Sequence, residues 1–233
     1  MNVLAVGAHP DDIEILCAGA LAKYRARGDK VAMAVVARGD MGSVDHSRDE
    51  IAAVRQRESE RAAKIIQAEF FLIGVDDLEI RATPETIRAL AEVVRRVKPD
   101  VIITHSPNDY MEDHRACLQL AEEASFNATV PLYRTETEKH GKLCPIYCMD
   151  TLAGIGFEPT EYVDITATFE TKRAMLACHE SQVKWLAAHD NVDIDGLMET
   201  MSRFRGAQAG VAYAEGFRPH HLWGRGVTER LLP

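Results

Sequence analysis

Residues 3–14 read VLAVGAHPDDIE, an apolar run followed at once by one imidazole and three carboxylates. The run predicts a buried strand, and the polar residues begin where that strand ends. Pro10 fixes its own φ and biases His9 away from helix, so the turn is stiff. Asp11 and Asp12 are adjacent and point in different directions, so one can bind a cation while the other faces whatever that cation activates. The placement predicts a metal site.

A second segment, residues 101–115, repeats this design. The apolar run VIIT is followed by HSPNDYMEDHR, which contains His114. Catalytic zinc typically takes three nitrogen or oxygen ligands from the protein and leaves a fourth position for water. His9, Asp12 and His114 supply that number, and the count is typical of metal-dependent hydrolysis.

Strand-like runs alternate with amphipathic stretches through the first half of the chain. We predict strands over residues 2–8, 30–37, 69–74 and 100–105, and helices over 17–27, 49–67 and 84–97. The strands are almost continuously apolar, which is typical of a parallel sheet covered on both faces. The sequence therefore predicts an α/β fold: a Rossmann-like, mostly parallel sheet flanked by helices, with the active site at the carboxyl ends of the strands.

The second half gives a weaker pattern. We predict a helix over 114–127, strands over 146–151 and 162–165, a long helix over 167–188, a helix over 190–205 and a loop over 207–225 that packs back onto the body. No internal repeat, linker or low-complexity segment interrupts the 233 residues. We therefore expect a single domain over residues 1–233.

Charge and cysteine content exclude several classes of partner. The chain has 27 basic and 36 acidic residues, a formal charge of −9, and no long run of Lys or Arg. This balance disfavours nucleic acid and anionic membranes as partners. The five cysteines are scattered and the first residues do not read as a secretory signal, so we expect reduced thiols in the cytoplasm. No apolar stretch approaches the roughly 20 residues of a membrane-spanning helix, and we expect a soluble protein.

The motifs HPDDIE (9–14), PNDY (107–110) and DHR (113–115) resemble those of the PIG-L/LmbE-like deacetylases, zinc enzymes that remove acyl groups from N-acetylglucosamine-type amides. The similarity extends in family order to RGDMGS (38–43), Arg55 with Glu58, HESQ (179–182) and YAEGF (213–217). The resemblance implies a metal-dependent hydrolase that removes an N-acetyl group from a small N-acyl amino sugar or glycoconjugate. Relatives often form trimers or hexamers, so it also implies a homo-oligomer.

The resemblance assigns roles that the residue chemistry supports. His9, Asp12 and His114 would bind Zn²⁺, although Fe²⁺, cobalt or manganese would accept the same ligands. Asp11 is the expected general base: it takes a proton from metal-bound water, whose pKa has dropped towards about 7, and returns it to the leaving amine. The competing interpretation of Asp11 is a simple helix cap.

Further positions are expected to support the substrate or the ligands. Glu14 would hydrogen-bond a ligand or a backbone donor. Arg55 and Asp40 resemble family positions that contact the sugar, although Arg55 could face solvent and Asp40 could be an ordinary turn residue. Asp109 belongs to the same group of substrate-binding or ligand-supporting residues.

Met111 departs from the family pattern. Relatives commonly read Tyr-His-x-Asp-His, and their first histidine is held to donate to the oxyanion or the leaving group, whereas a thioether donates no proton. Losing one such donor costs on the order of 10²- to 10³-fold in rate. We expect polarisation by the metal to compensate.

Other groups could also replace the missing donor. The candidates are His105, His46, His179 or a donor carried by the substrate. Asp113, which orients the family histidine, is expected to anchor His114 or Arg115 instead.

Three other functions remain open at this point. A catalytically weak sugar-binding or regulatory homologue would keep the metal and lack the acid at Met111. The same site could also serve an esterase or an amidase acting on a thiol conjugate. A nucleotide-binding dehydrogenase is disfavoured because acidic side chains, rather than a glycine-rich loop, follow the first strand.

Overall fold

The computed structural model describes residues 1–233. The strands are β1 (Asn2–Gly7), β2 (Lys30–Ala37), β3 (Glu69–Val75), β4 (Val101–Thr104), β5 (Ile146–Met149), β6 (Glu161–Asp164) and β7 (Ala214–His220). The helices are α1 (Asp12–Leu16), α2 (Ala18–Ala26), α3 (Arg48–Ile65), α4 (Pro84–Val97), α5 (Glu112–Asn127), α6 (Phe169–Leu176), α7 (Glu180–Trp185) and α8 (Ile194–Ala209). A π-helical turn, Leu186–Asp190, continues α7.

All seven strands form one sheet in the order β3-β2-β1-β4-β5-β7-β6. The first five run parallel, whereas β7 pairs antiparallel with both β5 and β6. In register, Val3 of β1 lies beside Val31 of β2 and Val101 of β4. The predicted α/β fold with a mostly parallel sheet is confirmed.

Both faces of the sheet are covered, as the apolar strands predict. Val3 and Ala5 of β1 belong to a core cluster that also contains Tyr24 of α2. Leu4 and Val6, which alternate with them, belong to a second cluster with α4 and α5. Successive side chains of a strand point to opposite faces, so a continuous apolar run supplies both cores.

The predicted long helix over 167–188 is wrong. The chain breaks at Cys178 and His179, where the backbone N–H groups bond to carbonyls three residues back, and α6 and α7 are separate helices. Ser181 is then drawn to α3: its backbone N and its Oγ donate to the carboxylate of Glu58 at 2.9 and 2.6 Å. These bonds across the fold replace those of a continuous helix.

The predicted loop over 207–225 is also wrong, because it contains β7. Phe217 is fully buried, and the strand is paired along both edges. Gly216 and Pro219 obscure the strand pattern in the sequence. The pairing that stabilises β7 comes from β5 and β6, both distant in the chain.

Strand order decides where the motifs meet. β1 and β4 are neighbours at the centre of the sheet, so the segments that follow them emerge side by side at the carboxyl edge. The segment after β3, residues 76–80, lies at the same edge.

None of the helices combines the length and the apolar character needed to span a membrane.

Candidate metal centre and active site

The turn after β1 is tight. Asp11 precedes α1 with a positive φ of 109°, a conformation that costs a non-glycine residue on the order of 1–3 kcal/mol and is concentrated at functional sites. A Cβ on Gly7 would lie 2.9 Å from Cγ1 of Ile13, so only glycine permits this close return of the chain. The backbone N of His9 donates to Oδ2 of Asp12 at 2.7 Å, which fixes that carboxylate.

The turn after β4 is organised by Asp109. Its Oδ1 accepts from the backbone N of Met111 at 3.0 Å, and its carbonyl accepts from Nη1 of Arg115 at 2.6 Å. Met111 precedes the first residue of α5, which places His114 in the first turn of that helix. The loop therefore delivers His114 toward the end of β1.

His9, Asp12 and His114 come together as predicted. One ligand atom from each lies within 4.8 Å of the other two. Nε2 of His114 is 3.3 Å from Oδ1 of Asp12, and Nδ1 of His9 is 3.5 Å from Oδ2. Two segments distant in the sequence thus face a common point.

Each imidazole is oriented by a carboxylate on its other nitrogen. Nδ1 of His114 donates to Oδ2 of Asp109 at 2.9 Å, and Nε2 of His9 donates to Oδ2 of Asp113 at 3.1 Å. The expectation that Asp113 anchors His114 or Arg115 is therefore corrected: Asp109 contacts both of those residues. Such carboxylate contacts fix the tautomer and raise the basicity of the ligating nitrogen.

The neighbouring carboxylates and imidazoles shift one another's pKa values. Burial disfavours the charged form of His9, but hydrogen bonds to Asp113 and Asp12 outweigh it and raise the pKa to about 9. Burial likewise opposes charge on His114, yet Asp12 and Asp109 raise its pKa to about 10. Burial acts against ionised Asp12, but His114 and His105 hold its pKa well below the usual range. The raised pKa values favour the protonated form of both imidazoles near neutral pH when no metal is bound.

These residues fit a divalent metal ion. Nε2 of His114 is buried and has no hydrogen-bond partner, as expected of an atom reserved for a ligand. Two imidazole nitrogens and one carboxylate are a donor set that zinc and related divalent ions accept.

A second group, His105, Asp109 and His114, also converges within 4.8 Å. There, however, Asp109 is engaged by Nδ1 of His114, and Nε2 of His105 accepts from the backbone N of Ala8 at 2.9 Å. His105 stacks on His114 with ring centroids 3.9 Å apart. This second group supports the ligands instead of replacing them.

With this geometry, comparison with known proteins decides the family. Residues 4–125 match the family model described as PIG-L: GlcNAc-PI de-N-acetylase. The chain belongs to the PIG-L family. The resemblance that its motifs indicate is confirmed, and the chain is an enzyme of that family.

The PIG-L relatives include a hydratase and deacetylases. A 4-oxalmesaconate hydratase from Pseudomonas putida KT2440 is 28% identical over 230 residues, covering 93% of this chain and 88% of the relative. A 1D-myo-inositol 2-acetamido-2-deoxy-alpha-D-glucopyranoside deacetylase from Nocardia farcinica is 25% identical, covering 78% and 80%. The solved N,N'-diacetylchitobiose deacetylase from Pyrococcus horikoshii superposes with a TM-score of 0.81 at 26% identity, covering 94% and 83%.

A cavity of about 340 Å³ opens onto the candidate metal ligands His9, Asp12 and His114, and we call it the active-site cavity. Its polar end contains Asp11 together with the three candidate ligands. Its walls are largely apolar. The apolar lining residues are Ile15, Leu16, Met41, Leu78, Tyr110, Met111, Leu152, Trp185, Leu186 and Ile194.

Asp11 faces this cavity and is held by Arg55. Nη2 of Arg55 donates to the carbonyl of Pro10 at 2.5 Å and to Oδ2 of Asp11 at 3.3 Å. Burial raises the pKa of Asp11 to about 6, with the guanidinium of Arg55 opposing that rise. Asp11 is therefore a carboxylate whose proton affinity suits exchange near neutral pH. Arg55 lines the cavity instead of facing solvent.

Met111 also lines the active-site cavity, so the position of the family histidine is filled by a thioether. None of the three replacement histidines reaches the cavity. His105 is fully buried beside His114, and His46 lies on an exposed loop. His179 is fully buried with Nε2 3.1 Å from Oε1 of Glu14.

Asp40 and Glu14 lie outside the cavity lining. Oδ1 of Asp40 accepts from the backbone N of Asp77 at 2.9 Å, and Oδ2 bonds to Arg48. The Asp40 carboxylate is thus engaged in fixing the loops after β2 and β3. Oε1 of the buried Glu14 lies 3.1 Å from Nε2 of His179, so Glu14 pairs with that imidazole and not, as expected, with a metal ligand or a backbone donor.

Several residues that line the cavity are not among those that the motifs indicate. Asp77 accepts from the backbone N of Gly39 at 2.8 Å and of Met41 at 3.1 Å, and it also faces the cavity. Its position two residues after β3 was the available signal, because carboxyl ends of parallel strands share one edge. Gln182 lies in the HESQ motif, which was noted without a role in the site, whereas Trp185 carried no signal, because the break before α7 is what turns that helix toward the cavity.

Proposed function

We propose that this PIG-L enzyme is a metal-dependent N-deacetylase that hydrolyses the amide of an N-acyl amino sugar, with His9, Asp12 and His114 as metal ligands and Asp11 as general base. One observation carries the proposal. A buried carboxylate with a raised pKa shares a cavity with an oriented His-Asp-His cluster. Family membership and the deacetylase relatives support the same reaction.

A divalent ion bound there supplies Lewis acidity toward the amide carbonyl and acidifies a water molecule. Asp11 accepts the proton of the attacking water and later delivers it to the leaving nitrogen. Arg55 keeps the Asp11 carboxylate in place and favours its ionised form. Asp109 and Asp113 hold the two imidazoles in the orientation that binding requires.

Hydration of a carbon–carbon double bond is the second candidate, because the Pseudomonas putida relative that covers 93% of this chain is a hydratase. The charges in the cavity favour the amide. Beside the proposed divalent ion, Arg55 is the only Lys or Arg in the lining and is already bound to Asp11, whereas Asp77 and Asp190 add to the negative charge of Asp11 and Asp12. Such a surface repels a substrate with several carboxylates.

The metal, assembly and compartment complete the proposal. The donor set supports zinc, with Fe²⁺ as the alternative. The resemblance to the family supports a homo-oligomer, a trimer or hexamer, and the 95% and 80% exposed side chains of Trp223 and Leu132 are candidates for its contacts. All five cysteines are free thiols, which supports the cytoplasm.

The decisive experiment compares reactions on metal-loaded protein. Acetate release is measured with N-acetylglucosamine, N,N'-diacetylchitobiose and the acetamido glycoside of myo-inositol, and hydration is measured with 4-oxalmesaconate. We expect acetate release from at least one substrate, reduced by about 10²- to 10⁴-fold in Asp11→Asn at equal metal content. Hydration without acetate release would assign the second candidate. Acetate release by Met111→His alone would instead indicate a sugar-binding homologue that has lost catalysis.

A further inference from the structure

Leu78 has a backbone conformation that leucine rarely adopts. It is the third residue of a turn, Asp76–Glu79, in which the backbone N of Glu79 donates to the carbonyl of Asp76 at 3.2 Å. Its φ is 67°, and a turn that needs a positive φ at this position normally has glycine or asparagine there. A bulky side chain in the left-handed region is strained, and strain of this kind is concentrated at functional sites. The turn by itself therefore gives no reason for a leucine.

Packing in the core does not explain Leu78 either. Its side chain is 65% exposed and belongs to neither core cluster, but it lines the active-site cavity. Met41 and Tyr110 line the same cavity and are 37% and 57% exposed. We call the side chains of Met41, Leu78 and Tyr110 the apolar rim. Exposed apolar side chains gathered at one cavity mark a binding surface.

The backbone of Leu78 has a separate contact with the candidate metal centre. Its N–H donates to Oδ2 of Asp113 at 2.7 Å, and the same oxygen accepts from Nε2 of His9 at 3.1 Å. The carboxylate that orients His9 is thus held by a second donor, from the loop after β3. That loop is itself anchored, because the backbone N of Asp77 donates to Oδ1 of Asp40 at 2.9 Å. The turn at Leu78 therefore belongs to the support of the His9 imidazole.

We propose that Leu78 has two separable roles: its backbone N–H positions Asp113 and through it His9, and its side chain contacts an apolar surface of the substrate at the apolar rim. The second role rests on the proposed function, whereas the first concerns metal binding alone. Glycine or asparagine would suit the turn better but would remove the apolar contact. Leu78 is then a positioning residue through its backbone and a specificity-determining residue through its side chain.

Leu78→Gly tests the side chain, because glycine adopts the turn without strain. In metal-loaded Asp11→Asn protein, calorimetry measures Kd for N-acetylglucosamine, N,N'-diacetylchitobiose and the acetamido glycoside of myo-inositol. We expect Leu78→Gly to raise Kd of the tightest ligand about tenfold, with unchanged zinc affinity and an unfolding midpoint no lower than that of the parent protein. Gln67→Gly is the control: Gln67 is exposed, has a φ of 52° and does not line the cavity, so Kd should stay unchanged.

Leu78→Val tests the backbone. Valine keeps an apolar side chain, but a β-branched residue resists a positive φ, so the N–H should move away from Asp113. We expect zinc affinity to fall about tenfold, measured by competition with a chelator on folded protein. Leu78→Ala is the matched variant and should keep the wild-type zinc affinity, since Ala153 of this chain adopts a φ of 58°.

Each result decides one role. A lower unfolding midpoint for Leu78→Gly would show that the side chain is needed for packing. Equal Kd values with and without the leucine, or no measurable binding in either protein, would overturn the substrate contact. Equal zinc affinities of Leu78→Val and Leu78→Ala would overturn the backbone role. The expected differences in Kd and zinc affinity, without acetate release by the wild type, would support the inference and contradict the deacetylase.

Discussion

Asp109 and His114 are joined by a 2.9 Å hydrogen bond from Nδ1 of the imidazole to Oδ2 of the carboxylate. The bond leaves Nε2 of His114 as the nitrogen that faces Asp12. Asp113, on the same helix as His114, does the same for His9. The segment after β4 therefore supplies one candidate ligand and also positions the ligand that follows β1.

Replacing Asp109 should weaken metal binding without removing a ligand. In Asp109→Leu the imidazole of His114 loses the partner that fixes its tautomer, and we expect zinc affinity to fall by about 10- to 100-fold. Competition with a chromophoric chelator measures this. Asp45→Leu, an exposed position away from the cluster, is the control, and equal affinities would show that Asp109 does not position the ligand.

Removing two ligands together should eliminate the metal. Purified wild-type protein is expected to contain about one zinc per chain, and His9→Ala with Asp12→Ala is expected to contain none. Elemental analysis provides the count, with the exposed His189→Ala as a matched histidine control. Metal retained by the double variant would contradict the assigned ligand set.

Metal binding should release protons. The pKa values of His9 and His114 are raised to about 9 and about 10 in the metal-free chain, so both are protonated at pH 7. Since a ligating imidazole must be neutral, we expect about two protons per zinc at pH 7 and progressively fewer as pH rises through these values. Calorimetry in buffers of different ionisation enthalpy measures the number. No release at pH 7 would show that the imidazoles are neutral before metal binds.

The rate should fall at acidic pH. Asp11 must be ionised to accept a proton, and burial raises its pKa to about 6. We therefore expect the pH profile of kcat/KM to fall on its acidic side, with the midpoint of this acidic limb at or below pH 6. A bound cation beside Asp12 lowers the pKa of Asp11 and so moves the midpoint to lower pH.

Arg55→Met provides the sharper test of that limb. It removes the positive charge that opposes the rise in the Asp11 pKa, so the limb should move to higher pH. Arg57→Met, exposed on the same helix, should leave the limb in place. An unchanged limb in Arg55→Met would mean that another group controls it.

Met111→His should increase kcat for amide hydrolysis. An imidazole beside the carbonyl or leaving nitrogen adds a donor that the thioether lacks, a contribution of up to about 10²- to 10³-fold. Met111→Leu preserves the apolar wall and should match the wild type. Steady-state kinetics on the best substrate decides this, and equal kcat values in all three proteins would show that the site works without a donor at position 111.

The first half of the fold was predictable because its patterns are local. The apolar side chains of β1, β2 and β4 belong to the two core clusters on opposite faces of the sheet. Pro84 is the first residue of α4, and Pro99 follows its end. The second half was not, because its elements depend on distant partners. Ser181 bonds to Glu58 of α3 and thereby stabilises the break before α7, while β7 exists through its pairing with β5 and β6.

The candidate site divides in the same way. The ligand types and the unusual Met111 can be identified from the sequence, since each belongs to a short motif. Which carboxylate orients which imidazole could not be predicted: Asp113 precedes His114 in the chain but bonds to His9. The side-chain directions of the first turn of α5 decide this, and they depend on how that helix packs against β1.

The sequence by itself determined the mostly parallel α/β architecture and the set of candidate metal ligands, because apolar periodicity and short polar motifs are properties of neighbouring residues. Only the tertiary structure decided that Arg55 restrains Asp11 and that the break before α7 places Trp185 at the active-site cavity. Those relationships arise from packing between segments far apart in the chain, where the free energy depends on shape and burial that no local pattern encodes.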